Sequence, residues 1–97
     1  MKYTLSFRKE ARADILAIHE WYEAESEGFG EEFLEDVDKV VEYIEEFPTM
    51  YARVSPRMRR AFTKRFPYSL FYYFNDDEII IVGCRHMHQD PAAWPVV

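Results

Sequence analysis

Cysteine is all but missing from this sequence. Its one thiol, Cys84, has no partner for an internal disulfide, and no Cys/His cluster shows the spacing of zinc ligands. A reducing cytoplasm is therefore the expected setting, and the residues call for neither a metal nor another cofactor. Long apolar runs are missing too. No stretch approaches the roughly 18 residues needed to cross a bilayer. The first residues, Met1 to Phe7, run into charged positions without the continuous apolar segment of a secretion signal. Neither membrane insertion nor export is expected. Internal repeats, low-complexity tracts and interdomain linkers are absent as well, and 97 residues leave no room for a second domain. One domain spanning residues 1–97 is the expectation.

What is present suits a packed core. Hydrophobic residues make up 48% of the chain and aromatic residues 18%, which sets it apart from disordered sequences. The formal charge of -6 is unevenly placed: residues 1–50 hold 5 Lys/Arg against 14 Asp/Glu, whereas residues 51–97 hold 7 against 4. An acidic half and a basic half imply two electrically different surfaces.

Tyr3, Leu5 and Phe7 alternate with Lys2, Thr4 and Ser6, the period of two of a strand with one buried face. From Lys9 to about Ala24 the period becomes helical, with Ala11, Ile15, Ile18 and Tyr22 on one stripe and Leu16 and Trp21 widening it. Ser26-Glu27-Gly28-Phe29-Gly30 breaks the pattern. A second helix follows, with Phe33, Val37, Val40, Ile44 and Phe47 on its stripe, seven acidic residues at wet positions, and an end at Pro48. The short link predicts an antiparallel helical hairpin.

After a loop over about Thr49–Pro56, Arg60, Phe62, Lys64 and Phe66 alternate with Arg59, Ala61, Thr63 and Arg65, predicting a basic strand that Pro67 ends. On this reading Arg60 and Lys64 share one face and Arg59 and Arg65 the other. Tyr68–Phe74, the turn Asn75-Asp76-Asp77 and Ile79–Val82 spell a β-hairpin, whose aromatic residues are expected to pack the core. Trp21 and Trp94 read as packing anchors, Trp94 closing the sheet against the tail. The resulting class is α+β: an N-terminal strand, a two-helix hairpin, then a three-stranded antiparallel meander. The helices should cover one face of the sheet and leave the other free.

Several local signatures, in this order, resemble the RelE/ParE superfamily of toxins over essentially the whole chain. They are Ala11-Arg12-Ala13-Asp14-Ile15 opening the first helix, Gly28-Phe29-Gly30, the Phe47-Pro48 helix end, and the basic strand running into Arg65-Phe66-Pro67-Tyr68. The C-terminal hairpin, His86 and Asp90-Pro91-Ala92-Ala93-Trp94 complete the set. The resemblance implies the toxin of a type II toxin-antitoxin pair. Its partner would be a cognate antitoxin, within an oligomeric complex, and its target either DNA gyrase or ribosome-bound mRNA.

For an RNA-cleaving member, a base, an acid and cations must come from side chains. The concentration Arg53, Arg57, Arg59, Arg60, Lys64 and Arg65 contains no acidic residue between its ends, and Arg85, His86 and His88 cluster after the last apolar run. Arg60, Lys64 and Arg85 are the candidate phosphate ligands and His86 the candidate proton carrier of such a nuclease. The basic strip reads equally as solvated edge charge or as a dock for an acidic antitoxin, and His86 as a residue that merely caps the sheet. Two expected arginines are replaced, by Ser69 after Tyr68 and by Gln89 before Asp90. That favours the gyrase-directed branch. A metal-independent mRNA endoribonuclease is the alternative, and a non-toxic antitoxin-binding domain that keeps the fold is a third.

Overall fold

The structure is a computed structural model and describes residues 3–97. Lys2, counted in the polar set of the first strand, lies outside the described residues. The elements run β1 (Thr4–Phe7), α1 (Lys9–Glu25), α2 (Phe29–Glu46), β2 (Arg59–Phe62), β3 (Tyr68–Asn75) and β4 (Glu78–His86), with a 3-10 turn at Pro91–Ala93. They form one four-stranded sheet in the order β1-β4-β3-β2. β2, β3 and β4 are the expected antiparallel meander. β1 joins β4 in parallel, from Thr4 opposite Glu78 to Phe7 opposite Ile81. A parallel neighbour needs a crossover, and the helical hairpin supplies it.

The α1–α2 link turns on Gly28, whose φ of 87° lies in the left-handed region open to glycine. Glu23 reaches forward to accept the amides of Gly28 at 2.9 Å and Gly30 at 3.0 Å. Gly30 itself, which the sequence pattern placed in the break, sits in the first turn of α2. A Cβ there would lie 2.8 Å from the His19 ring and from its carbonyl oxygen. The helices therefore pass close to each other at this point and run antiparallel, with Arg12 and Ile15 beside Leu34 and Asp38 further along.

One core lies between the hairpin and the sheet. Phe33, Val37, Val40 and Ile44 of α2 meet Leu70, Tyr72, Ile79, Ile81 and Cys84. Leu16 and Trp21 do not join the stripe as expected; both are 58% exposed. The opposite sheet face is not left free either. Met58 and Val54 of the β2 approach loop and Trp94 of the C-terminal segment pack there on Phe71, Ile80 and Val82.

β2 is shorter than its alternation predicts. It stops at Phe62 because Asp36, only 3% exposed on α2, accepts the amides of Lys64 at 3.1 Å, Arg65 at 2.9 Å and Phe66 at 2.8 Å. These three donors turn toward a helix instead of a neighbouring strand. Thr63 locks the same turn, its hydroxyl bonded to the carbonyl oxygen of Phe66 and, at 3.1 Å, to that of Tyr68. A bulge in β4 also shifts the side-chain parity. Tyr72 faces Ile81 but Phe71 faces Gly83, which leaves Val82 as the extra residue.

Candidate functional site

The sheet face away from the helices carries Arg60 and Phe62 from β2, Ser69, Phe71 and Tyr73 from β3, and Ile80, Val82, Gly83 and Arg85 from β4. Strand alternation on either side of the bulge puts them there. Arg60 is half-buried at its centre. Its Nε donates to the buried Ser69 hydroxyl at 3.0 Å and an Nη to the Met87 carbonyl at 2.9 Å. The guanidinium stacks between the Phe62 and Trp94 rings, 4.6 and 4.7 Å from their centroids. Burial there pulls its pKa below the ordinary arginine value. Ser69, standing where the nuclease pattern has arginine, is thus the acceptor that orients Arg60.

Arg85 folds back along the free edge of β4. Its Nη1 pairs with the Asp14 carboxylate of α1, and its Nε donates to the Ala93 carbonyl at 3.1 Å. Both this contact and the C-terminal segment depend on Gly83, where a Cβ would lie 2.5 Å from Pro95 and 3.2 Å from the Arg85 guanidinium.

The other two residues singled out from sequence lie elsewhere. Lys64 is not on the Arg60 face; with β2 ended at Phe62, its ammonium sits 4.6 Å from the Tyr43 ring of α2. Arg65 pairs with Glu32 at 2.6 Å, and Arg59 turns to the helix side to donate to the Tyr51 carbonyl at 2.7 Å. His86 projects to the helix side, its ring 5.4 Å from that of Tyr68. There it lines a cleft of about 430 Å3 with Ala17, Ile18, Trp21 and Tyr22. The His88 amide donates to His86 Nδ1 at 3.2 Å, so the second histidine closes a turn beyond the strand. The structure brings Arg60 and Arg85 to one face and places Lys64 and His86 away from it.

A second basic feature shares the face away from the helices. Arg8, between β1 and α1, donates to the Tyr73 hydroxyl at 3.2 Å and lies 5.5 Å from its ring centroid. Arg57 lies 4.8 Å from the same ring and donates to Asn75 Oδ1 at 3.2 Å. Arg57 belongs to the basic run read from the sequence. Arg8 is the partner that reading missed, since it stands 65 residues from Tyr73 and no local pattern joins them.

Among the described residues, no group of three His, Cys, Asp or Glu is placed to hold a metal ion, and no helix is long and apolar enough to cross a membrane.

A model of the family described as the ParE toxin of the type II toxin-antitoxin system, parDE, matches residues 5–91. Among solved structures, the chain is similar to one from the chromosomal ParDE toxin-antitoxin system of P. aeruginosa. The TM-score is 0.67 at 23% identity, covering 89% of this chain and 97% of that one. It is also similar to a chain of the archaeal RelE-RelB complex from Pyrococcus horikoshii OT3, with a TM-score of 0.48 at 17% identity over 93% and 100% of the two chains. Curated proteins give no match.

Proposed function

Since the chain belongs to the ParE toxin family of type II toxin-antitoxin systems, we propose that it arrests growth by acting on DNA gyrase and that a cognate antitoxin holds it inactive in the cytoplasm. The observation that carries the choice of target is the engagement of Arg60 and Arg85. Arg60 is held by Ser69 and Met87, and Arg85 by Asp14 and Ala93. Phosphoryl chemistry on RNA needs cations aimed at the reacting phosphate and a proton carrier within hydrogen-bond reach of it. Here the arginines serve as struts and His86 lies on the other face. A protein-directed poison requires no such constellation.

The test is induction without the antitoxin, followed by mapping of mRNA 5' ends and recovery of gyrase-DNA cleavage complexes from the arrested cells. Trapped gyrase with unchanged mRNA ends is the expected result. New ribosome-dependent mRNA cuts that vanish on His86→Ala would replace this reading with the nuclease one. Unimpaired growth with folded toxin present would point to the non-toxic binding domain. For the antitoxin, coexpression with the neighbouring gene should restore growth and yield one copurifying complex.

A further inference from the structure

We infer that the Arg8–Tyr73–Arg57 patch, on the sheet face away from the helices, grips the phosphodiester backbone of duplex DNA. The inference rests on the gyrase reading, because a gyrase poison works on an enzyme that holds DNA.

Three observations carry it. Both guanidiniums converge on one tyrosine ring, and neither makes an ion pair with any acid among the described residues, although Arg65 and Arg85 both do. The acids near this patch are Asp76 and Asp77 at the β3–β4 turn and Glu78, which stands opposite Asn75 and accepts from the Ser6 hydroxyl at 3.3 Å, while Arg57 bonds the neutral Asn75 amide. Two exposed cations held together without a counter-charge repel each other unless an anion is supplied, and a guanidinium presents its donors in the fork that matches phosphate.

The charge of the molecule is also divided in space. The 14 acidic residues of the first half lie mostly on the helical hairpin across the sheet, so on the face away from the helices Arg8, Arg57, Arg60 and Arg85 outnumber the one strand acid, Glu78. The third observation separates backbone contact from base reading. Tyr73 and the exposed Phe62, the strand aromatics at the surface of this face, already carry arginine over their rings. Single-strand and RNA readers need open aromatic faces. Cations beside a covered ring fit a duplex, where phosphate contacts position the protein without reading sequence.

The experiment uses the full chain freed of antitoxin and a fluorescein-labelled duplex of arbitrary sequence, followed by anisotropy across a salt series. Each arginine that displaces a counterion contributes about 0.9 to the slope of log K against log salt, so Arg8→Gln/Arg57→Gln should flatten the slope by about 1.8 and weaken low-salt binding about tenfold or more. Both residues are exposed, so the variant should fold. Arg12→Gln/Lys39→Gln removes the same charge from the exposed helical surface and should change binding by less than about twofold, which separates a local grip from net charge. Wild-type failure to bind duplex, equal binding by the Arg8/Arg57 variant, or tighter binding to single-stranded RNA would each overturn the inference. Gyrase cleavage complexes are scored separately with wild-type toxin. Their absence beside duplex binding through Arg8 and Arg57 would sink the gyrase reading and leave the DNA surface standing.

Discussion

Asp14 of α1 and Arg85 of β4 form a half-buried ion pair across 71 residues of chain, and the same carboxylate accepts the Cys84 amide at 3.0 Å. β1 covers the β4 edge only as far as Ile81. Past that point Cys84 would present an unpaired amide, and Asp14 supplies the acceptor that a longer β1 would have provided. The Ala11–Ile15 segment of the family resemblance thus has a physical role in completing the sheet edge.

Removing this carboxylate should be costly. Asp14→Ala leaves both the Cys84 amide and the Arg85 guanidinium without their partner, a loss of about 2–3 kcal/mol. Combined with Arg85→Met, the two costs should fall short of adding by about 1 kcal/mol, because the second change removes a charge the first has already orphaned. Urea midpoints of the two single variants and the double variant measure this. Additive losses would mean that the pair does not hold Arg85.

Asp36 should matter more. Its carboxylate satisfies three amides in a turn that also fixes the end of β2. Asp36→Ala is expected to cost about 3–5 kcal/mol, and Asp36→Asn less but still about 1–3 kcal/mol, since in either orientation its NH2 group faces at least one backbone donor with a donor. In a domain whose whole stability is on the order of 5–10 kcal/mol, either variant should unfold well below the wild-type temperature. A shift of only a few degrees in thermal unfolding would contradict the assignment.

The parts of the fold that the sequence displayed are those written in local periods. Phe33, Val37, Val40 and Ile44 marked the buried face of α2, and Tyr68–Phe74 with Ile79–Val82 marked the hairpin. What it concealed depends on partners far along the chain. Asp36 lies three residues after Phe33 and four before Val40, hence on the apolar stripe, and that signal was readable. Its targets, the amides at 64–66, were not. Lys64 and Phe66 continue the alternation of β2 without a break, so the strand's end at Phe62 had no local mark. The bulge at Val82 was equally silent, yet it decides that Arg85 and His86 take their observed faces. Leu16 and Trp21 extended the α1 stripe by spacing alone, but the helix rotates them outward so that Asp14 can reach β4.

Acid should loosen the hairpin link. The amides of Gly28, then Gly30, hold the Glu23 carboxyl below its ordinary value of 4.5. A depressed folded-state pKa means that this carboxylate stabilises the fold fully above the unfolded value and loses that contribution as pH falls through the folded one. Glu23→Gln should therefore be less stable than wild type at neutral pH, with the gap closing as pH drops below about 4.5. A gap in unfolding free energy that stays constant down to pH 3 would show that the two amides do not favour the charged form.

Cys84 offers a direct report of core integrity. Burial, then the Asp14 carboxylate, pushes its thiol up to about 12, with Arg85 opposing. Because the thiolate is the reactive form, a maleimide or iodoacetamide probe should label the native chain very slowly at pH 8, and the rate should rise along the urea unfolding curve. Prompt labelling in native buffer would place Cys84 outside the core.

The choice of target is tested most directly with purified components: the antitoxin-free chain, DNA gyrase and supercoiled plasmid, with the products resolved after denaturing the enzyme. A gyrase-directed toxin predicts linear plasmid that accumulates with toxin concentration and disappears when the antitoxin is added first. Intact plasmid at every concentration, from the same preparation that cleaves mRNA on programmed ribosomes, would contradict it.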